Sequence, residues 1–107
     1  MNNLYITDHA EERFKTRTGL PKRLVTKKAT EALELGISHA ESVGQLRKYF
    51  DKLFLAQEKA NNIRVYHNHV YLFANEALIT VFPLPASLRK TAEKIQRKKT
   101  EELSNAE

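Results

Sequence analysis

The chain of 107 residues contains no cysteine, which excludes disulfide frameworks, thiol nucleophiles and thiolate metal sites. It has no long apolar run either. The longest, Leu53–Ala56 and Val70–Ala74, stop at four or five residues, far short of the ~20 that a membrane-crossing helix needs. The opening residues, Met-Asn-Asn-Leu-Tyr-Ile-Thr-Asp, lack a basic flank and an apolar centre, so no signal peptide is expected. Glycine and proline number three each. No Gly-rich phosphate loop, internal repeat or βαβ alternation is present, which argues against Rossmann and P-loop architectures. With 41% apolar and 29% charged residues, the composition suits one folded cytoplasmic domain rather than a disordered chain.

Basic charge is plentiful and uneven. The formal charge is +5 and the sequence pI about 9.6. Residues 1–28 hold seven basic groups against three acidic ones, a net of +4. Residues 29–85 come to −1, and residues 86–107 to +2. A positive lobe on a nearly neutral body makes a field that attracts polyanions, and nucleic acid is the commonest of these for a basic domain. No segment pairs a basic face with a broad apolar one, so a membrane surface is not expected as a partner.

The first half reads as helical. Thr7 or Asp8 caps a helix over residues 8–18, with Ala10 and Phe14 as its buried stripe and Gly19 as its stop. Pro21 suits the first turn of a second helix ending at Gly36, with Val25, Ala29, Ala32 and Leu33 at helical spacing. Ser38-x-x-Glu41 and Ser42-x-x-Gln45 resemble capping boxes for a shorter third helix carrying Val43, Leu46 and Phe50. After Asp51 the pattern changes, and Leu53-Phe54-Leu55 is a short apolar run. Segments 63–66, 70–73 and 78–82 are rich in β-branched and aromatic residues and are separated by His67-Asn68 and Asn75-Glu76 turns. Pro83 and Pro85 end the meander. The expected fold is α+β: two to three N-terminal helices on one face of a three- or four-stranded antiparallel sheet, with residues 1–85 as the domain. Residues 86–107 are expected as a charged helix or frayed tail, with Leu88, Ala92 and Ile95 on one side.

The segment most suggestive of chemistry lies in the first helix. His9, Arg13 and Arg17 are four residues apart and form one polar ridge beside Ala10 and Phe14. Each guanidinium can grip a phosphate bidentately, and an imidazole can exchange a proton near neutral pH. By spacing alone, an ordinary solvated face with Glu11 and Glu12 paired to the arginines explains the ridge equally well.

His-Ala-x-x-Arg-(three residues)-Arg, two helices, then a meander ending in Leu-Ile-Thr-Val-Phe resembles small proteins of the barnase–EndoU–colicin–RelE ribonuclease superfamily. That group includes toxins and toxin-like proteins of bacteria and phages. The likeness spans residues 4–84 and rests on short motifs together with the order of elements. The chain is also similar to small proteins of Gram-positive bacteria and phages, a likeness that carries no function. The superfamily resemblance implies His9 as general acid or base, Arg13 and Arg17 as phosphate ligands, and Thr80 as a strand hydroxyl at the site. It also implies cleavage of RNA without a metal or cofactor. RNA brings its own nucleophile, the 2′-hydroxyl, so imidazole and guanidinium groups suffice for proton transfer and charge stabilisation.

A second proton-transfer residue has no obvious owner; His67, His69, Tyr66, Tyr71 and Lys15 are the candidates. His67-Asn68-His69 supplies only two imidazoles, too few for a zinc site, and sits where exposed turn polarity is the simpler reading. His39 reads as structural or solvent-exposed. Lys15, Lys22, Arg23, Lys27, Lys28 and Arg64 are the candidate nucleic-acid contacts, sequence-independent and therefore salt-sensitive. Tyr49 and Phe50 beside Arg47 and Lys48 read as a stacking surface or as one core and one rim aromatic. The expected function is a toxin-like endoribonuclease acting on tRNA or mRNA, with a cognate antitoxin or inhibitor as a second partner. The alternatives are a non-catalytic nucleic-acid-binding module and a phage-type protein-interaction factor.

Overall fold

In the computed structural model, residues 4–105 are described; residues 1–3, which open the stretch read above against a signal peptide, and residues 106 and 107 of the tail lie outside them. Strand β1 (Tyr5–Ile6) leads into helix α1 (Asp8–Thr18), and a 3₁₀ turn over Lys22–Leu24 opens α2 (Val25–Leu35). A second such turn, His39–Glu41, precedes α3 (Gly44–Ala56). Strands β2 (Asn62–Tyr66), β3 (His69–Ala74) and β4 (Ala77–Pro83) follow. A third 3₁₀ turn, Ala86–Leu88, then leads into α4 (Arg89–Asn105).

The α+β class is as expected, and the meander β2–β3–β4 is antiparallel. The sheet as a whole is mixed, in the order β1-β4-β3-β2, because the short lead-in Tyr5–Ile6 lies parallel to Ala77–Leu78 of β4. An apolar segment of three residues gives no periodicity from which that pairing can be read. The helices also cover both faces rather than one. Ala10, Phe14, Val25, Ala29 and Ala32 of α1 and α2 pack with Tyr71, Phe73, Leu78 and Val81. Leu46 and Phe50 of α3, with Leu88 just before α4 and Ala92 within it, pack with Ile63, Val65, Val70 and Leu72. The cause is visible in β3, where Val70, Tyr71, Leu72 and Phe73 are all buried. A strand apolar on both sides needs cover on both sides.

Local chemistry sets the boundaries. Thr7 Oγ1 accepts from Ala10 N–H at 3.0 Å and starts α1, and Gly19, at φ 76°, ends it by donating to Lys15 O. His67 and Asn68 both take positive φ, 48° and 63°, as a tight two-residue hairpin turn requires. Leu53-Phe54-Leu55 belongs to α3, which is longer than the sequence pattern suggested. Its apolar positions Leu46, Phe50, Leu53 and Phe54 keep helical spacing straight through Asp51. The C-terminal segment is helical through Asn105, and Ile95 packs against the α3-side cluster.

The two layers meet at the C-terminal end of α2, whose last carbonyls have no partner within the helix. Arg64 Nη1 donates to Leu33 O at 2.7 Å and to Gly36 O at 3.3 Å. From α4, Gln96 Nε2 donates to Leu35 O at 2.7 Å and Lys99 Nζ to Gly36 O at 2.8 Å. Cations at a helix C-terminus are also favoured by its dipole. Gly36 permits this convergence, since a Cβ there would lie 2.5 Å from Ala32 O and 3.1 Å from Val65 O.

Lys99 also pairs with Glu41 at 2.9 Å. Partial burial works to raise the Glu41 carboxyl, but the Ser38 backbone N–H and then Lys99 outweigh it and hold it below the ordinary carboxylate value. A lowered folded-state value stabilises the fold above the unfolded carboxyl's range, and that contribution is lost as pH falls through the lowered value. Two outcomes are expected. Gly36→Ala lowers stability by about 1–3 kcal/mol through forced overpacking, read from urea midpoints; an unchanged midpoint would mean the turn relaxes freely. Glu41→Gln flattens the acid limb of the stability–pH curve, whereas a limb identical to the parent's would show that this carboxyl contributes nothing.

Candidate active site

Strand β1 pairs with only the first two residues of β4, so the edge of β4 beyond Leu78 has no neighbouring strand. Helix α1 lies beside that edge. Thr7 ties its start there, its hydroxyl donating to Leu78 O at 3.1 Å. Near its end, Arg17 Nη1 donates to Val81 O at 3.0 Å. With Ala10 and Phe14 fully buried against the sheet, the ridge of His9, Arg13 and Arg17 is turned along the open edge.

β4 is itself irregular here. Thr80 pairs with Leu72 and Leu78 with Phe73, so Ile79 is an extra residue without a partner. Such a bulge re-aims side chains. Ile79 packs toward the α3-side cluster, and Thr80 shares that side through its partner Leu72. The outcome is a shallow groove of about 290 Å³ lined by His9, Arg17, Gln57, Ile79, Thr80 and Phe82. It runs between the α1 ridge and the C-terminal end of α3.

The structure therefore brings together three of the four residues expected as catalytic: His9, Arg17 and Thr80. The fourth, Arg13, adjoins them, its Nε donating to His9 Nε2 at 3.2 Å. In a neutral ring that makes Nε2 the acceptor and leaves the proton on Nδ1. Among the described residues no carboxylate pairs with Arg13 or Arg17; the ion pairs are Lys22–Glu12, Lys28–Glu31, His39–Asp51 and Lys99–Glu41. Gln57 and Phe82 were not signalled by the sequence. Gln57 follows a helix that the pattern ended too early, and Phe82 reads simply as an alternating strand residue.

None of the candidate second proton-transfer residues lines the groove. His69 faces backbone carbonyls, with Nδ1 3.1 Å from His67 O and Nε2 3.3 Å from Arg17 O, and a neutral ring donates its one N–H to one of the two. His67 stacks on Tyr66 with ring centroids 4.0 Å apart. Tyr66 donates to Glu31 at 3.1 Å. Burial pushes its hydroxyl up, and Glu31 adds to the shift. Burial first, then Tyr66 and Glu31, push the Tyr71 hydroxyl far above the ordinary phenol value. Lys15 is exposed, and helical geometry sets it well around α1 from the ridge.

The expected nucleic-acid contacts divide into two sets. Arg23 and Lys27 are exposed near the start of α2 with no carboxylate partner among the described residues. Lys22 pairs with exposed Glu12, holding that carboxyl below its ordinary value and its own ammonium above. Lys28 lies 3.5 Å from Glu31. Arg64 is spent on the end of α2, with Nε donating to Asn62 Oδ1 at 3.2 Å. His39 ties the turn before α3 to Asp51 at 2.7 Å and meets Phe50 and Phe54 edge-on.

The two arginines of the ridge therefore differ in what they support. Arg17→Ala is expected to lower stability by about 1–2 kcal/mol, the net worth of a charge-assisted bond in partial burial, whereas Arg13→Ala leaves the unfolding midpoint unchanged. Equal effects would show that Arg17 does not brace the β4 edge. Compared with family models, curated proteins and solved structures, the chain matches none.

Proposed function

We propose that this chain is a small RNA-binding protein that cleaves RNA without a metal, using the groove between α1 and the open edge of β4. The observation that carries the proposal is the convergence of His9, Arg17 and Thr80 on one groove, beside guanidinium groups with no carboxylate partner among the described residues.

In this reading the 2′-oxygen of RNA bonds to phosphorus as its proton passes to a base. The P–O5′ bond then breaks, the 5′-oxygen takes up a proton, and a 2′,3′-cyclic phosphate remains. His9 carries out one of the two proton transfers, and solvent in the open groove the other. Arg13, released from His9 as the phosphate enters, and Arg17 stabilise the added charge on the phosphorane. Thr80 donates its hydroxyl to a non-bridging oxygen. Phe82 offers a partly exposed aromatic face on which a base can stack. Arg23 and Lys27 extend phosphate contact beyond the groove, so binding weakens steeply with salt. tRNA or mRNA as substrate, and a cognate inhibitor protein with an acidic face, follow from the same reading.

The test is incubation of tRNA and mRNA with the full chain in chelator. The parent is expected to produce cyclic-phosphate ends, and His9→Ala to slow cleavage by about 10²–10⁴-fold, the usual contribution of one positioned acid or base. If the parent binds RNA but leaves it intact, the chain is a binding module instead. Neither binding nor cleavage would leave a protein-interaction role in its place.

A further inference from the structure

A second groove, also of about 290 Å³, opens along α3. Lys48, Tyr49 and Lys52 of α3 line one wall, and Pro85, Ser87 and Leu88 line the other. From sequence, Tyr49 and Phe50 read either as a stacking surface or as one core and one rim aromatic. Phe50 is fully buried, whereas Tyr49 is partly exposed and Pro85 is exposed. The groove therefore presents an accessible aromatic surface. Burial pushes the Tyr49 hydroxyl up, so it stays a neutral phenol able to donate.

This groove and the His9 groove are joined at both walls. Helix α3 supplies Gln57 to the His9 groove and Tyr49 and Lys52 to the second. Strand β4 supplies Thr80 and Phe82 to the first, and the chain leaving it supplies Pro85 to the second. The two elements thus run in opposite directions past one continuous channel. Tyr49, Leu53, Ile79 and Phe82 all pack on the same cluster beneath it. From Phe82 to Pro85 the chain advances by roughly 10 Å at strand rise. At about 3.4 Å per stacked nucleotide, about three nucleotides cover that step.

Charge follows the same path. No carboxylate lines either groove of the channel, whereas both depressions beside α4 include Glu93. Lys48 and Lys52 are exposed and have no carboxylate partner among the described residues. Asp51, which lies between them in sequence, is held by His39.

From this continuity we propose that single-stranded RNA runs from the His9 groove along α3, with a base stacked on Tyr49. Lys48 and Lys52 meet the phosphates on the way. The proposal rests on the RNA reading of the His9 groove and adds a substrate class. An unpaired strand can offer a free base face to Tyr49, and a base stacked within a duplex cannot.

The experiment measures binding of 2′-O-methyl oligonucleotides, which cannot be cleaved, to the full chain by fluorescence anisotropy. A dinucleotide is confined to the His9 groove, and a hexanucleotide reaches Tyr49. The hexanucleotide is expected to bind at least about tenfold more tightly, and Tyr49→Leu to remove about tenfold of its affinity while sparing the dinucleotide. Tyr49→Phe, which keeps the ring, should bind like the parent. Lys48→Ala/Lys52→Ala, at exposed positions that leave packing intact, should flatten the hexanucleotide's log–log salt slope by about 1.4. If the hexanucleotide's advantage survives both Tyr49→Leu and the lysine double variant, or a duplex binds as tightly as the strand, the channel is overturned while the His9 reading stands. Binding of neither oligonucleotide overturns the RNA reading and the channel with it.

Discussion

A strand edge must satisfy its peptide groups somewhere, and β1 is too short to do this for β4. Beyond Leu78 the β4 edge meets no strand, and side chains of α1 and the residue before it do part of the work. Thr7 binds Leu78 O, and Arg17 binds Val81 O. Unpaired edges invite association with other chains, and covering them with a helix is one of the standard remedies. Here the cover is a polar ridge rather than an apolar seam. It leaves a wet, cationic groove beside the strand, and the bulge at Ile79 turns Thr80 into it. The same device that completes the sheet thus assembles the candidate site.

The rest of the molecule keeps that geometry in place. Phe14, fully buried, fixes the rotation of α1 about its axis; truncating so large a core side chain typically costs about 3–5 kcal/mol. Arg64 of β2 and Gln96 and Lys99 of α4 gather on the carbonyls that end α2. Helices from opposite faces are thereby joined through one polar hub next to Gly36. Gln96 Oε1 is left buried without a partner among the described residues, a cost this docking tolerates. The hub also holds α4 against the α3-side cluster.

Much of this was legible in the amino-acid order. Thr7, Gly19 and Gly36 mark helix limits by capping chemistry and close approach, and the Asn-containing turns mark the hairpins. The ridge of His9, Arg13 and Arg17 follows from a four-residue spacing. What escaped depends on distant partners. Two residues of β1 have no period of their own, and their direction is set by β4. The division of helices between faces depends on β3 being apolar on both sides, a pattern that a short run of consecutive apolar residues does not resolve. The bulge at Ile79 and the arrival of Gln57 at the groove exist only once β3 and α3 are in place. Arg64 shows the reverse: expected as a nucleic-acid contact, it is held by backbone oxygens from α2 and the turn that follows.

The central claim is a location: an RNA phosphate sits between α1 and the free edge of β4. A crystal structure of the chain with a short 2′-O-methyl RNA, which lacks the attacking hydroxyl, tests it most directly. The account predicts a phosphate within hydrogen-bonding reach of His9, Arg17 and Thr80, with Arg13 turned away from the imidazole to meet it. An RNA bound elsewhere, with the His9–Arg13 contact intact and the groove unfilled, would contradict it.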